Sequence, residues 1–359
     1  MKPKVSVVIP LYNAEKYIKP CIDSVLAQTL NDIKAVIVDD CSTDGSFALC
    51  RELYGDDSRV VLLQQPQNSG PGNARNSGIK HAHGKYIAFA DSDDQMKPDH
   101  ISEMFEAAEK YNADVLHSTG CIICKGDNSR ANMLTLPAND FMKVSLDMPR
   151  FKELAVMTAS DRDTMLNAWA ENVYSCHVFS KLFRRDLLLN NDIAFTDSPM
   201  AEDVLFCFAA MFHSERYVIL PHHGYIYRTL NESLSRSKSP ADVLAKSLIS
   251  AVKVMRAVQN VMKNIPFFAE NKDRYGKVLD ALASRLDKFH IIPCYKQLTE
   301  DALRNNEKFS GIFDNLFGLD SPYVQHLFYS AYNSQPDIPD LWSGAGSSNS
   351  DFWEIMKDD

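Results

Sequence analysis

Short apolar runs alternate with helical stretches between residues 4 and 118, and this alternation restricts the fold more than any other feature. Four of the runs predict strands: residues 4–10, 34–39, 59–64 and 85–90. The first is short, apolar and rich in β-branched residues, which is typical of a parallel strand buried on both faces. Apolar residues between the first two runs recur at helical spacing, and Pro20 suits the first turn of that helix. The alternation predicts an α/β domain with a doubly wound, mostly parallel sheet flanked by helices.

The rest of the chain follows a different pattern. The spacing predicts two more helices and two short strands, over 180–190, 202–213, 216–220 and 224–228. From about residue 240 only helical spacing remains. We therefore expect an α/β domain over 1–239, an α-helical region over 240–333 and a disordered acidic tail over 334–359.

Composition narrows the class of protein. The 359 residues include 38 Lys and Arg against 47 Asp and Glu, so the net charge of −9 lacks the basic footprint of a nucleic-acid binder. No apolar run reaches the ~18 residues of a membrane-spanning helix, and VSVVIP is too short for a signal-peptide core. We expect a cytoplasmic protein with free thiols, in which Cys121 and Cys124 pack in a strand. A metal or redox role of this Cys-x-x-Cys pair is the alternative.

Acidic residues follow two of the predicted strands. Asp39 and Asp40 end the second strand, and Asp91, Asp93 and Asp94 follow the fourth. Because the carboxyl ends of parallel strands lie along one edge of a sheet, we expect both groups to line the same crevice. Clustered carboxylates repel one another unless a cation lies between them, and hard oxygen ligands favour Mg²⁺ or Mn²⁺ shared with substrate phosphates. A solvated acidic turn is the alternative.

Three other features have two interpretations each. Asp39 and Asp40 have the position of acids that bind ribose in nucleotide folds, or they form a capping turn. The Gly-rich segment 68–78 lacks dinucleotide-fingerprint spacing, but its Arg75 can reach a phosphate or stack on a base. Glu202-Asp203 starts a predicted helix, where the helix dipole alone favours acids.

Six segments in order, over about residues 4–235, resemble glycosyltransferase family 2, the inverting sugar-nucleotide transferases with a GT-A fold. The resemblance rests on VSVVIPLYNAEKYI with CIDSVLAQT, VDDCSTDGS, NSGPGNARNSGI, KYIAFADSDDQMKPD, FSKLFRRDLL with AEDVLF, and YIYRTLNESLSRS. Residues 240–359 lie outside it. One departure is Cys41 after the paired acids, where Gly or Asn is common in the family.

The resemblance implies a donor site. Asp40, with help from Asp39, would bind the base and ribose of a sugar nucleotide, and Arg75 would support the base or diphosphate. Asp91 and Asp93 would hold the ribose and a divalent cation, Mn²⁺ or Mg²⁺, that bridges the diphosphate oxygens. The donor site would also include Pro10, Tyr12, Asn13, Asn68, Gly70 and Ser92.

The resemblance also implies a reaction. Asp203 would be the general base for a single displacement that inverts the anomeric carbon. The expected donor is a UDP-sugar, and the expected acceptor is a saccharide or lipid-linked saccharide in cell-surface polysaccharide, lipopolysaccharide or glycolipid assembly. A non-catalytic sugar-nucleotide-binding or scaffold protein on the same fold is one alternative. A nucleotidyltransferase or NAD-dependent enzyme is another, and the glycine spacing argues against it.

Further partners stay open at this stage. The apolar stripes of the 240–333 region predict core packing or a homodimer face, with peripheral contact to the inner face of a membrane as the alternative. A group of basic residues offers a surface for acceptor phosphate or an anionic membrane: Lys181, Arg184, Arg185, Arg228, Arg236 and Lys238.

Overall fold

The computed structural model describes residues 2–125, 142–146, 151–198, 201–229 and 240–286. The strands in these ranges are β1 (Val5–Leu11), β2 (Ile33–Asp39), β3 (Val60–Gln64), β4 (Tyr86–Phe89), β5 (Gln95–Met96), β6 (Val115–Ser118), β7 (Gly120–Lys125), β8 (Met142–Leu146), β9 (Ala155–Thr158), β10 (Lys181–Arg184), β11 (Arg216–Leu220) and β12 (Tyr225–Thr229). The α-helices are α1 (Ile18–Leu26), α2 (Ser46–Tyr54), α3 (Pro71–His81), α4 (His100–Lys110), α5 (Arg162–Ala170), α6 (Arg185–Asn190), α7 (Glu202–His213), α8 (Pro240–Lys263), α9 (Pro266–Ala269) and α10 (Lys272–Leu286).

An 8-stranded sheet forms the centre of the described fold, in the order β3-β2-β1-β4-β10-β6-β11-β9. Strand β1 pairs in parallel with β2 on one side and with β4 on the other. Apart from β9 and β10, the strands of this sheet run in the same direction. The predicted α/β fold with a mostly parallel sheet flanked by helices is therefore confirmed.

Residues 181–184, which were predicted to belong to a helix over 180–190, form β10 instead. This strand lies between β4 and β6 and is antiparallel to both. Two adjacent residues of β10, Leu182 and Phe183, are fully buried and contribute to the cores on opposite faces of the sheet. The helical prediction was wrong because so short an apolar run fits either period, and only the distant strands β4 and β6 decide between them. Helix α6 occupies the second half of the segment.

A second, 4-stranded sheet in the order β5-β12-β7-β8 was not predicted as a separate layer. A single residue, Thr119, separates β6 in the central sheet from β7 in the second one. Strand β12 is parallel to β7 and antiparallel to β5, the short strand after the acidic turn. Cys121 and Cys124 are buried on β7, so their predicted packing in a strand is confirmed.

The central sheet separates two hydrophobic cores. Val7 and Val8 are adjacent in β1 and contribute to opposite cores, as the alternation of side chains along a strand requires. Helices α1 and α4 cover one face, and α3, α7 and the C-terminal helices contribute to the core on the other. Because both faces are covered, the parallel strands carry apolar residues at most positions, with exceptions such as Ser6 of β1 and Lys34 of β2. This gave the nearly continuous apolar runs in the sequence.

The described C-terminal helices share a core with the α/β part. Helix α8 packs on α7, and α10 packs on both α5 and α8. Met255, Val258 and Met262 are buried in the same cluster as the α7 residues, so this apolar stripe is core. Residues 287–359 lie outside the described residues, so the division into three parts stays a prediction. Within the described ranges, no helix combines the length and apolar character needed to cross a membrane.

Gly78 of α3 lies directly against β1. A Cβ atom there would come within 2.3 Å of Val8 Cγ1, which belongs to a buried side chain with restricted rotamers. We expect Gly78→Ala to lower the free energy of unfolding by about 1–3 kcal/mol, because α3 must move away from the sheet.

The matched control is Gly276→Ala in α10, where an added Cβ has no neighbour within 4 Å. It should raise the free energy of unfolding by about 0.5–1 kcal/mol, because Ala restricts the unfolded chain and favours the helix. Urea denaturation measures both variants. Equal effects at the two glycines would contradict the close approach of α3 to β1.

Candidate active site

The carboxyl ends of the parallel strands lie side by side at one edge of the central sheet. Leu11 at the end of β1 pairs with Asp39, and Asp39 pairs with Gln64 at the end of β3. Next to β1, β4 ends at Phe89 and the chain enters the 91–94 turn. Both acidic segments therefore lie at this edge, as the strand alternation predicted.

Asp39 and Asp40 hold the loops at this edge. The Asp39 carboxylate accepts a hydrogen bond from the Ser42 N–H at 3.2 Å. The Asp40 carboxylate accepts from the N–H groups of Ser69 and Gly70 at 2.9 and 2.8 Å. Burial raises the pKa of Asp40, and these two hydrogen bonds oppose that rise. Both acids thus form loop-shaping hydrogen bonds, and their contact with a base or ribose stays a prediction.

Three predicted donor-site residues lie where β1 leaves the sheet. Pro10 is the penultimate residue of β1, and the Tyr12 ring just beyond it is 40% exposed. Asn13 has a left-handed backbone with φ +49°, and its Oδ1 accepts a hydrogen bond from the Thr43 N–H at 2.8 Å. The turn after β1 is therefore tied to the turn after β2, with the Tyr12 side chain exposed beside this junction.

The loop before α3 carries two more predicted residues. Asn68 is exposed. Gly70 is the N-cap of α3 with φ +88°, a backbone conformation that residues other than glycine rarely adopt. An added Cβ at Gly70 would have no neighbour within 4 Å, so the backbone conformation, and not lack of space, favours glycine here. Together with the Asp40 hydrogen bonds, this fixes where α3 begins.

The 91–94 turn is anchored to the second sheet. The Asp91 N–H donates to Tyr225 Oη at 3.0 Å, and that hydroxyl donates to Asp94 Oδ2 at 2.7 Å. Asp94 also accepts from the Arg228 N–H at 2.7 Å and is only 1% exposed. The expectation that Asp94 lines the crevice was therefore wrong: in so tight a turn its side chain points into the protein, where it joins the turn to β12.

Asp91 and Asp93 remain as candidate ligands of a divalent cation, with the half-buried Ser92 between them. Burial, followed by the charge of Asp91, raises the pKa of Asp93 to about 6. A cation between the two carboxylates would relieve this repulsion. Among the residues that the structure describes, no group of three or more His, Cys, Asp or Glu side chains converges as a metal site. Two carboxylates suit Mg²⁺ or Mn²⁺ that completes its coordination with substrate phosphate and water, so the residues fit a shared metal.

Arg75 connects this edge to the start of α7. Its Nη2 lies 2.9 Å from Asp91 Oδ1, and its Nη1 lies 2.8 Å from Glu202 Oε1. Burial disfavours the charged guanidinium, but the two carboxylates overcome this and raise the pKa of Arg75. Glu202 is thus a site residue that sequence reasoning missed, since the helix dipole alone explained an acid there. The pairing spans 127 residues, and no local spacing reveals it.

Asn76, the neighbour of Arg75, holds the segment that leads into α7. Its Nδ2 donates to the Phe195 carbonyl, and its Oδ1 accepts from the Phe195 N–H, both at 2.9 Å. Gly72 allows the same close approach, since a Cβ there would lie 2.7 Å from the Thr196 carbonyl oxygen. One helix, α3, therefore contacts both the 91–94 turn and the segment before Glu202. The only sequence signal for Asn76 was its place in the Asn/Gly/Arg segment.

Asp203 lies in the first turn of α7, after Ala201 with its left-handed φ of +59°. Burial raises the pKa of Asp203, while the positive charges of His177, Arg75 and Lys181 oppose that rise. The Asp203 carboxylate thus lies among three basic side chains whose charge favours its ionised form. The predicted base thus lies next in the chain to the residue that Arg75 holds.

The predicted basic group does not form one surface. Lys181 and Arg228 are each 2% exposed, and the Arg228 Nε donates to the Asp93 carbonyl at 3.0 Å. Arg184 and Arg185 lie at the opposite end of β10, next to the start of β4. Lys181 and Arg184 lie at the two ends of β10, so the strand separates side chains that the linear sequence grouped together. Two further members lie outside the described residues: Arg236 and Lys238.

A family model described as "Glycosyl transferase family 2" matches residues 6–190. The chain belongs to this family. The match runs from β1 to α6 and includes the acidic strand ends and Arg75, and it stops before Asp203. The family that the motifs resembled is confirmed.

Two curated relatives illustrate the likeness. The chain is 32% identical to the uncharacterized glycosyltransferase EpsJ of Bacillus subtilis over 236 residues. This aligned region covers 66% of this chain and 64% of EpsJ. The chain is 30% identical over 261 residues to the poly(ribitol-phosphate) β-N-acetylglucosaminyltransferase TarS of Staphylococcus aureus, which covers 71% of this chain and 41% of that protein. The chain thus spans less than two thirds of the length of each.

Solved structures share the fold of this family 2 member. A crystal structure of S. aureus TarS has a TM-score of 0.57 at 25% identity, covering 93% of this chain and 53% of that one. A structure of the TarS fragment 1–349 in complex with UDP-GlcNAc has a TM-score of 0.54 at 22% identity, covering 95% of both chains. The predicted GT-A type of α/β fold is confirmed at the level of architecture.

Cys41, the departure from the family pattern, has a left-handed backbone with φ +61°. A residue with a Cβ is strained in this region, so glycine is favoured there. We expect Cys41→Gly to raise the free energy of unfolding by about 0.5 kcal/mol, and Cys41→Val to lower it by about 1 kcal/mol.

Cys41→Ala is the matched control for these two variants, since it removes the thiol and keeps the Cβ. Its free energy of unfolding should stay close to that of the wild type. Thermal or urea unfolding checks the series, and a destabilised Cys41→Gly variant would show that the thiol contributes more than the backbone strain costs.

Proposed function

We propose that this protein transfers a sugar from a nucleoside-diphosphate sugar to an acceptor hydroxyl with inversion at the anomeric carbon. The observation that carries the proposal is the bridge of Arg75 between Asp91 and Glu202. The bridge supports the proposal because one guanidinium binds both Glu202, the neighbour of Asp203, and Asp91, one of the two carboxylates that suit a cation. A single displacement needs the base and the cation-binding carboxylates on opposite sides of the donor sugar, and they come from different elements of the fold.

Asp203 is the general base in this proposal. Its carboxylate takes the proton of the acceptor hydroxyl while that oxygen bonds to the anomeric carbon. In the same step the bond from the anomeric carbon to the diphosphate oxygen breaks, and the nucleoside diphosphate leaves. The cationic surroundings of Asp203 favour its ionised form before the step, and its burial favours the protonated form after it.

The donor side is assigned to the loops at the strand ends. The exposed Tyr12 ring offers a face for the base, with Asp39 and Asp40 toward base and ribose. Mn²⁺ or Mg²⁺ held by Asp91 and Asp93 would stabilise the charge of the departing diphosphate. The other residues of the proposed donor site are Pro10, Asn13, Asn68, Gly70, Arg75 and Ser92.

A UDP-sugar is the donor we infer, and a saccharide or lipid-linked saccharide is the acceptor. Support comes from TarS, whose name describes transfer of N-acetylglucosamine and which was crystallised with UDP-GlcNAc. The succinoglycan biosynthesis protein ExoO of Rhizobium meliloti, 31% identical over 240 residues, supports polysaccharide assembly. A cytoplasmic location, contact with the inner membrane face and a homodimer stay predictions.

Replacing the proposed base gives the most direct test of the reaction. Asp203→Asn keeps the shape of the side chain and removes its basicity, so we expect kcat for UDP release to fall by about 100-fold or more. The Kd for UDP should change less than about twofold, because the base does not contact the nucleotide. UDP, GDP and dTDP sugars with Mn²⁺ form the donor panel, and titration calorimetry measures nucleotide binding.

Asp197→Asn is the matched control, since Asp197 precedes α7 and is 69% exposed in its ion pair with Lys253. A full rate in Asp203→Asn would exclude Asp203 as the base. Nucleotide binding by the wild type without turnover on any donor would instead favour the non-catalytic alternative.

The metal assignment has its own test. We expect Asp93→Ala to weaken Mn²⁺-dependent UDP binding by about tenfold or more, because one of two carboxylate ligands is lost. UDP binding without metal should be unchanged. Calorimetry with and without Mn²⁺ measures this, with Asp99→Asn, an exposed acid just before α4, as the control. Normal Mn²⁺-dependent binding in Asp93→Ala would exclude it as a ligand.

A further inference from the structure

The 171–180 loop between α5 and β10 is held by an arginine from the last described helix. Arg285 of α10 is 7% exposed. Its Nε donates to Asn172 Oδ1 at 2.6 Å, its Nη2 donates to the Trp169 carbonyl at 3.0 Å, and its Nη1 contacts Cys176 Sγ. The guanidinium also lies 4.8 Å from the centroid of the Trp169 ring. One side chain of α10 therefore fixes both the end of α5 and the middle of the loop.

A second buried cation holds the same loop from the central sheet. Lys181, the first residue of β10, is 2% exposed. Its Nζ donates to the carbonyls of Ser175 and His177 at 2.9 and 2.7 Å. These carbonyls flank Cys176, which Arg285 contacts from the other side. The backbone at 175–177 is thus positioned by two cations from different layers of the fold.

The loop presents the His177 ring at the end of an aromatic stack. The imidazole is exposed and lies parallel to the Phe179 ring, 5.0 Å between centroids at 11°. Phe179 in turn stacks on Tyr225 at 4.3 Å and 11°. The Tyr225 hydroxyl accepts a hydrogen bond from the Asp91 N–H and donates one to Asp94, so the stack starts at the 91–94 turn. The position of the His177 ring is therefore set relative to the proposed metal site.

The loop also contacts α7 directly, since Cys207 Sγ, one helical turn after Asp203, donates to the Cys176 carbonyl at 3.1 Å. His177, the next residue of the loop, is one of three basic side chains whose charge acts on Asp203. The other two are buried and already engaged, Arg75 with two carboxylates and Lys181 with the loop carbonyls. An imidazole is the only one of the three that changes charge near neutral pH. Among the described residues, Glu202 and the thiols of Cys176 and Cys207 also interact with this carboxylate.

We propose that His177 is a positioning residue for Asp203, and that Arg285 holds it in place from α10. The inference rests on the proposed function, in which Asp203 takes the acceptor proton. In its protonated form, His177 stabilises the ionised Asp203 that the reaction requires. Arg285 lies beyond the family match at 6–190, so α10 contributes to the acceptor side of a site that the family model covers only in part.

The first experiment is the pH dependence of donor hydrolysis, in which water replaces the unidentified acceptor. The probe is UDP-GlcNAc with Mn²⁺, and the variant is His177→Phe, which keeps an aromatic ring on Phe179 and removes the charge. Protonated Asp203 cannot accept a proton, so the rate falls on the acid side of the profile. Without His177 this fall begins at higher pH. We expect about a tenfold loss of kcat at pH 6 and less than about a threefold loss at pH 8.

Arg285→Met should reproduce that pH-selective loss, because the loop is no longer held beside Asp203. Arg274→Met is the matched control in the same helix: Arg274 pairs with the exposed Asp163 of α5 and does not contact the loop in the described structure. It should leave the shape of the profile unchanged. Arg285→Lys, which keeps the charge and loses the fork of donors, tests whether any effect of Arg285→Met comes from poor folding.

The second experiment measures the His177–Asp203 interaction without turnover. The Cε1–H resonance of His177, assigned by its loss in His177→Phe, is titrated by NMR. Removing a neighbouring carboxylate destabilises the imidazolium, so Asp203→Asn should move the midpoint of this titration to lower pH. The same change should occur in an Arg274→Met background and disappear in an Arg285→Met background.

The outcomes separate this inference from the proposed function. A uniform loss of rate across the pH range in His177→Phe, with a His177 titration that Asp203→Asn leaves unchanged, overturns the inference while donor hydrolysis by the wild type stands. No hydrolysis of any nucleotide sugar by the wild type counts against the proposed function, and the NMR titration alone then decides the pairing. A shifted titration midpoint together with a pH-selective loss of rate supports both.

Discussion

The buried guanidinium of Arg75 is the interaction on which the site depends. It neutralises Asp91 at the edge of the sheet and Glu202 at the start of α7, two acids from distant parts of the chain. A buried charge costs free energy unless it is paired, so loss of either partner leaves an uncompensated charge in the protein. The pairing therefore couples the position of α7, and with it Asp203, to the position of the 91–94 turn.

Helix α3 carries that guanidinium, and the strand ends position α3. Asp40, which follows β2, accepts the N–H groups of Ser69 and Gly70 just before the helix begins. Gly78 lets the helix lie on β1, and Asn76 holds the Phe195 backbone. A parallel sheet, one closely packed helix and one arginine thus bring the carboxylates of the 91–94 turn and of α7 together. The C-terminal helices add the support of the 171–180 loop through Arg285.

The sequence predicted those parts of the fold that local rules govern. Period and composition identified the parallel strands, and the common edge of their carboxyl ends placed Asp39, Asp40 and Asp91 together. The rest depends on contacts between distant segments. Residues 181–184 form strand β10 by pairing with β4 and β6, which come from much earlier in the chain. The chain leaves the central sheet for the second sheet at Thr119. Residues in a turn lack the regular spacing that reveals buried positions in helices and strands, so the sequence does not show that the Asp94 side chain points inward.

A double-mutant cycle on the free energy of unfolding, with Arg75→Met, Glu202→Gln and the double variant, tests the central claim most directly. Because the two side chains compensate each other's buried charge, each single change should cost about 3 kcal/mol. The double variant should then be more stable than the sum of the single effects predicts, by about 1–3 kcal/mol. Effects that add to within about 0.5 kcal/mol would contradict the coupling of the two halves of the site through Arg75.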